Sequence, residues 1–228
     1  MLNDPRSEGR LLTADLFEAV PDVRPSREAM ADGAVLLRGF ARPFESSLIA
    51  DLRDILTQAP FRHMVTPGGH RMSVAMSNCG SVGWVTDRSG YRYDGIDPVS
   101  QQPWPAMPSS FQDLARQAAE QAGFPGFSPD ACLINRYEPG ARMSLHQDKD
   151  EEDFGAPIVS VSLGLSAIFL FGGLKRGDKL GRYRLEHGDV VVWGGPARLA
   201  FHGVAPLADG EHGLVGRQRI NLTFRKAR

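Results

Sequence analysis

Cysteine is nearly missing. The 228-residue chain has two, Cys79 and Cys132, and neither belongs to a Cys-x-x-Cys pair. A zinc ribbon is excluded, and the expectation is a reducing cytoplasm with both thiols free. Long apolar runs are missing too: nothing approaches 18 apolar residues in a row, and the opening "MLNDPRSEGRLL" has no apolar core for a signal peptide. Neither a membrane partner nor a cleaved leader is expected. Nor is there an excess of charge of one sign, since 26 basic side chains against 27 acidic leave a formal −1. No global field therefore draws the chain onto nucleic acid or anionic lipid, and any such contact needs a local patch. The segment "RQRINLTFRKAR", with five basic residues in its twelve, is one candidate. Internal repeats and low-complexity tracts are absent.

What remains is ordinary soluble composition, 42% hydrophobic and 23% charged, in a chain long enough to bury most of its unfolded surface as one domain. Nothing demands more than a monomer. Residues 1–32 read as a polar N-terminal extension with a short helix around "TADLFEAV". "GAVLLRGF" (33–40) reads as a strand. "FESSLIADLRDILTQA" (44–59) places Phe44, Leu48, Leu52, Ile55 and Leu56 on one helical face. "RHMVTPGGHRMSVAM" predicts a hairpin around Pro67, Gly68 and Gly69 within a glycine-rich region. "PSSFQDLARQAAEQAG" predicts a helix with Ser110 as its N-cap, Asp113 three residues on, and Gly123 after its end. From about 130 onward, seven or eight short strands follow one another between Gly, Pro and Asp turns, the pattern of a sandwich or jelly roll. The fold class expected is mainly β with flanking helices (α+β).

Chemistry enters with "SLHQDKDEEDFGAPIVSVSLG" (144–164). His146 and Asp148 are two apart, so an extended segment aims both the same way. His202, in "LAFHGV", lies on a later β segment. Two histidines and a carboxylate on one face of a metal leave the opposite positions open, the ligand set of non-haem Fe(II) oxygenases. Taken alone, the same stretch is equally a solvated loop ahead of a buried strand. "RINLTFR" adds to it: Ile220, Leu222 and Phe224 share one face, and Arg219, Asn221, Thr223 and Arg225 share the other. On a solvent-facing edge strand the arginines need no explanation. Turned into a barrel they must be paired, and a planar guanidinium pairs best with a carboxylate. A small dicarboxylate such as 2-oxoglutarate meets both demands, one end on arginine and the other on the metal. In "LINRY", Leu133, Asn135 and Tyr137 share a face; this is either a polar barrel rim or a wall that donates hydrogen bonds to a co-substrate.

Other conspicuous residues have plainer readings. His63, His70, His187 and His212 are expected as loop or turn histidines. Trp193 is expected in the core or barrel wall, and Trp104 as a packing anchor. Met72 and Met76 seal a flap, with Met76 also within reach of a substrate. Glu151, Glu152 and Asp153 are expected to be solvated loop.

The stretches "ACLINRYEPGARMSLHQDKDE", "APIVSVSLGL", "EHGDVVVWGG" and "RINLTFR" together resemble the AlkB family of alkylated-DNA repair dioxygenases, and "MVTPGGHRMSVAMSNCG", "GWVTDRSGY" and "DPVSQQPWPAMP" look like that family's nucleotide-recognition lid. The resemblance spans roughly residues 60–225; residues 1–32 lie outside it, and Asp87 departs from the lid pattern. It implies a double-stranded β-helix (jelly roll) core over 125–228, an N-terminal β-rich nucleotide-recognition lid over 60–105, and one dioxygenase domain over 1–228. It further implies His146, Asp148 and His202 as Fe(II) ligands and catalytic centre. Arg219 and Arg225 would hold 2-oxoglutarate, with Asn135, Tyr137 and Asn221 completing the pocket. Trp84, Tyr91, Asp150, Arg176 and Met76 would meet the substrate. The implied reaction uses Fe(II), O2 and 2-oxoglutarate to hydroxylate the N-methyl group of a base such as N1-methyladenine or N3-methylcytosine; the adduct loses formaldehyde, with succinate and CO2 as co-products. The implied partner is alkylated DNA, single-stranded or with a flipped base, or else methylated RNA or tRNA. A zinc hydrolase on the same three ligands, and a module that binds damaged strands without reacting, are the other readings the ligand set allows.

Overall fold

Alternation of apolar and polar residues in "IVSVSLG" and "RINLTFR" decides the architecture, because one face of each of these strands must find a core and the other a chamber. The computed structural model describes residues 26–228. The expected helix around "TADLFEAV" lies outside the described residues, as does most of the 1–32 extension. The last part of that extension forms β1 (Arg27–Ala31), which pairs antiparallel with β2 (Ala34–Leu37).

The principal sheet has seven strands in the order β1-β2-β11-β8-β13-β6-β3. Its members are β3 (Ala75–Gly80), β6 (Ala131–Tyr137), β8 (Ile158–Gly164), β11 (Val190–Trp193) and β13 (Arg219–Arg225), besides the first two. A second sheet of four strands runs β10-β9-β12-β7, from β7 (Met143–His146), β9 (Ala167–Phe171), β10 (Gly181–Leu185) and β12 (His202–Val204). A separate hairpin joins β4 (Gly83–Asp87) to β5 (Gly90–Asp94). The result is a mainly β jelly roll with two flanking helices.

The two faces of the large sheet differ in kind. Its outer face carries Cys132, Ile134, Val159, Val161, Leu163, Val190, Val192, Ile220, Leu222 and Phe224, all buried under α1 (Glu45–Gln58) and α2 (Ser109–Ala122). From the helices, Leu48, Leu52 and Ile55 meet Phe111, Leu114 and Ala118, and the Phe111 ring stands edge-on to Phe224 at 5.8 Å. Each such fully buried side chain contributes about 1.5–3 kcal/mol by leaving water. The inner face turns Leu133, Asn135, Tyr137, Ser160, Arg219, Asn221, Thr223 and Arg225 toward the smaller sheet. Cys79 and Cys132 sit opposite each other on β3 and β6 as free, buried thiols.

One local expectation is corrected. Ser110 does not cap α2: the helix begins at Ser109 after Pro108, and the Ser110 hydroxyl donates instead to Asp51 of α1, joining the two helices. At the other end Gly123 does close the helix, in the left-handed conformation at φ 99°, donating its N–H to Ala119 and Glu120. His187 lies in a turn, as expected, and is well bonded there. Its Nδ1 accepts from the Gly164 N–H at 3.0 Å, its Nε2 meets Glu45 at 2.5 Å, and its ring stacks on His212. The sequence around Pro67-Gly68-Gly69 turns back on itself as expected, paired through the antiparallel bridges Val65–Arg71 and Arg62–Met76. Trp104 is buried, with its indole N–H on the Asp94 carbonyl, and Trp193 lies in the inter-sheet core.

Candidate active site

The inner chamber is assembled by pairing register. Residues β12 and β7 set His202 directly across from His146, and the pairing shifts between His202 and Val204. Gly203 permits this approach, since a Cβ there would lie 2.7 Å from the Met143 carbonyl oxygen. Asp148 follows β7 by two residues on a segment tied down at both ends of its backbone: Gln147 Nε2 donates to the Leu199 carbonyl (2.6 Å) and Arg198 Nη1 to the Asp148 carbonyl (2.8 Å).

The three expected ligands converge. His146 Nε2 lies 3.5 Å from Asp148 Oδ1, His202 Nε2 lies 3.8 Å from Asp148 Oδ2, and one ligand atom from each falls within 4.8 Å of the others. Tautomers follow from the other ring nitrogens. His146 Nδ1 meets the Ser144 carbonyl at 2.9 Å and His202 Nδ1 the Ala200 carbonyl at 3.0 Å. A carbonyl only accepts, so each Nδ1 carries the proton and each Nε2 offers a lone pair inward. Burial, reinforced by the neighbouring His146, brings the His202 pKa down to about 4, so the ring is neutral as a metal ligand must be. Burial also resists ionisation of Asp148, but Arg225 and then the two imidazoles overcome it and hold the carboxyl well below the usual range. At His146 burial is outweighed by the hydrogen bond and charge of Asp148, and the pKa rises. Two imidazoles and one carboxylate with an open side could hold a divalent iron.

Beside the triad stand the two guanidiniums of β13. Arg225 donates from Nε and Nη2 to Asp148 Oδ2 (3.0 and 2.7 Å) and lies 3.3 Å from Glu151 Oε1. Arg219 is 1% exposed and has no carboxylate partner among the described residues. It donates once, to Ser162 Oγ at 3.0 Å, and rests over the Tyr137 ring, while its Nε and Nη1 find no hydrogen-bond partner among the described residues. Burial lowers its pKa. Asn135 Oδ1 and Trp193 Nε1 are likewise buried and unpartnered. Asn135, Asn221, Thr223 and Ser160 form a hydrogen-bonded polar floor between them. A buried cation with free donors, facing further free polar atoms, is a cradle for an anion.

Above the triad opens a cleft of about 850 Å³. Trp84, Tyr91, Met76, Asp150 and Arg176 all line it, as do the unforeseen basic side chains Arg71, Arg142 and Lys149. Trp84 and Tyr91 stack at 5.7 Å, and the Trp84 indole N–H donates to Asp150 Oδ2 at 2.8 Å. The exposed Arg176 lies over Phe201.

Three functional neighbours escaped the sequence reading. Asn78, fully buried, holds the Trp84 backbone from both sides, Nδ2 to the carbonyl and Oδ1 from the N–H, each at 3.0 Å. Arg198 is the strap across the 148–156 segment, donating also to the Ala156 carbonyl. Glu151, expected as solvated loop, is 6% exposed, ion-paired with Arg198 at 3.0 Å and bonded to Tyr93. Two guanidiniums and a phenol supply the compensation that burial of its carboxylate demands.

Comparison with known proteins agrees with this chemistry. The family model of the 2OG-Fe(II) oxygenase superfamily matches residues 33–225. The Alpha-ketoglutarate-dependent dioxygenase AlkB of Escherichia coli (strain K12) is 62% identical over 213 residues, covering 93% of this chain and 97% of the relative. The tRNA demethylase abh1 of Schizosaccharomyces pombe is 30% identical over 158 residues, 64% of this chain and 52% of the relative. Among solved structures, OsALKBH1 superposes with a TM-score of 0.76 at 29% identity, covering 88% of this chain and 99% of that one. The hydrolase and the unreactive binding module are thereby set aside, and the chain belongs to the 2OG-Fe(II) oxygenase superfamily, among the AlkB dioxygenases that work with iron, dioxygen and 2-oxoglutarate.

Proposed function

We propose that this dioxygenase removes N-methyl groups from bases of the N1-methyladenine and N3-methylcytosine type in DNA, as a monomer in the cytoplasm. The observation that carries the reading is the uncompensated Arg219 in one chamber with the His146, Asp148 and His202 triad, next to a cleft that Trp84, His146 and Asp148 line. His146, Asp148 and His202 are assigned to Fe(II). Arg219 and Arg225 are assigned to the two carboxylates of 2-oxoglutarate, with Tyr137, Asn135 and Asn221 as the chamber wall. Bound iron supplies the oxidation. The chain supplies position, two imidazoles with a carboxylate as ligands, and a chamber shielded from water.

The 1–228 chain is one domain, residues 60–105 its nucleotide lid and 125–228 its catalytic core. The polarity of the cleft suits the substrate. Its rim carries Arg71, Arg142, Lys149 and Arg176, which favour phosphates. Beside them the exposed Asp150, bonded to the Trp84 indole, favours a cationic methylated base, and Trp84 stacks on it. The modified edge is the pairing edge, so the base arrives single-stranded or flipped, and poor pairing lowers the cost of flipping. Formaldehyde released from an N1-methyladenine oligodeoxynucleotide, strictly dependent on Fe(II) and 2-oxoglutarate, is the expected result; none under those conditions refutes the substrate.

A second reading keeps the chemistry and changes the polymer to RNA. The similarity to a tRNA demethylase favours it. Turnover on matched RNA and DNA oligomers decides between them.

A further inference from the structure

The buried carboxylate of Glu151 has three partners from three regions of the chain. Tyr93 Oη of β5 donates to Oε1 at 2.6 Å. Arg198 Nη2 donates to Oε2 at 3.0 Å. Arg225 Nε lies 3.3 Å from Oε1. Tyr93 belongs to the β4–β5 hairpin that carries Trp84 and Tyr91, and Arg225 is assigned above to the co-substrate. One carboxylate thus touches both the substrate-facing hairpin and the guanidinium that pairs with Asp148. The 151 position lies three residues beyond Asp148, on the segment that Arg198 straps down.

The geometry points to Glu151 and Tyr93 as positioning residues that link occupancy of the 2-oxoglutarate site to docking of the substrate hairpin. This rests on the assignment of Arg225 to 2-oxoglutarate. A carboxylate arriving at Arg225 changes the share of that guanidinium left for Glu151. Glu151 then answers through its remaining partners, and Tyr93 is the one on the hairpin. Linkage is reciprocal, so docking of the hairpin must alter 2-oxoglutarate affinity by the same factor. The hairpin has other tethers, Asn78 to Trp84, Trp84 to Asp150, Thr86 to the Val65 carbonyl, Trp104 to the Asp94 carbonyl and Arg228 to the Tyr93 carbonyl, and none of these bonds involves Arg225 or Glu151. Tyr93 is therefore the specific route.

The test uses full-length protein loaded with Mn(II) in the absence of oxygen, so that no turnover is read. Two quantities are measured: 2-oxoglutarate affinity by calorimetry, and amide hydrogen exchange over residues 83–94 with and without 2-oxoglutarate. In the wild type, 2-oxoglutarate should slow that exchange. Tyr93→Phe keeps the ring packed and removes the hydrogen bond. It should bind Mn(II) normally, bind 2-oxoglutarate about tenfold more weakly, a usual size for coupling between sites, and show hairpin exchange indifferent to the co-substrate. Glu151→Gln should also lose the response, whereas Tyr91→Phe on the same strand should keep it. A wild-type hairpin that ignores 2-oxoglutarate overturns the inference. So does Tyr93→Phe with wild-type affinity and response, or loss of the response in Tyr91→Phe as well. Failure of the underlying assignment looks different: Arg225→Ala would bind 2-oxoglutarate as tightly as the wild type.

Discussion

The two ends of β13 present the same side chain to the same chamber in opposite electrostatic circumstances. At one end Arg225 is held by Asp148 and Glu151, and although burial works against its charge, these carboxylates raise its pKa. At the other end Arg219 is as deeply buried, has one hydroxyl as hydrogen-bond partner, and its pKa falls. The first end is complete without a ligand and serves the fold as well as the site. The second is incomplete, and its free donors represent binding energy held in reserve for an anion. A protein seldom leaves a buried cation unpaired unless something arrives to pair it.

Breaking the complete end should have the largest effect. Asp148→Ala removes a metal ligand and leaves Arg225 with Glu151 alone. Loss of one partner from a buried pair costs about 3–5 kcal/mol, so urea unfolding of the metal-free variant should show a loss of that order, together with loss of Mn(II) binding. A metal-free stability equal to that of the wild type would mean that Arg225 does not depend on Asp148. The incomplete end should behave in the opposite sense. Arg219→Met fills similar space without the charge, and the metal-free variant should be more stable than the wild type by about 1 kcal/mol or more. The same variant should lose 2-oxoglutarate binding while keeping Mn(II). The wild type should gain about 2.7 kcal/mol at a 2-oxoglutarate concentration 100 times Kd, and Arg219→Met should gain none. If the substitution destabilises instead, Arg219 is a structural residue and the reserve does not exist.

Trp84→Ala probes the cleft above both ends. It removes the stacking wall and one hydrogen bond to Asp150 but no residue of the inner chamber. Binding of a methylated oligonucleotide should weaken by about 1–3 kcal/mol, with uncoupled 2-oxoglutarate decarboxylation largely intact. Loss of decarboxylation as well would move Trp84 from substrate recognition to support of the chamber.

The difference between the two arginines was half legible in the sequence. Period-two alternation in "RINLTFR" and "LINRY" set Arg219 with Arg225 and Asn135 with Tyr137 on shared faces, because a strand leaves a side chain only two directions, but it left open whether those faces turned inward. His146 and Asp148 were legible for the same reason. Which arginine would be compensated was not, since that depends on Glu151, whose partners Tyr93 and Arg198 are distant in the chain and reach it only through sheet packing. Set in "DKDEEDF", Glu151 looks like its solvated neighbours, and nothing local marks it out. Asn78 was hidden similarly, because its bonds to Trp84 arise only when the hairpin folds back over β3. Ser110 misled in the other direction. Its local signature was that of a cap, and a tertiary partner on α1 claimed the hydroxyl. The β2 and β3 strands show the limit for topology: their pairing with β11 and β6 joins segments far apart in sequence.

The smallest effect should come from a third arginine just before β13. Arg217 makes two short contacts to Asp209, shorter than most at the site, and both residues lie open to solvent. By distance alone this pair would rank beside Arg225 and Asp148. Burial reverses the ranking: water and salt screen exposed charges, and ordering two long side chains offsets what attraction remains. Arg217→Ala should therefore leave the urea midpoint and 2-oxoglutarate affinity where they are, at low salt and high. A loss of stability comparable to that of Asp148→Ala would mean that proximity, rather than removal from water, sets the strength of ion pairs here, and the contrast between the two ends of β13 would lose its physical basis.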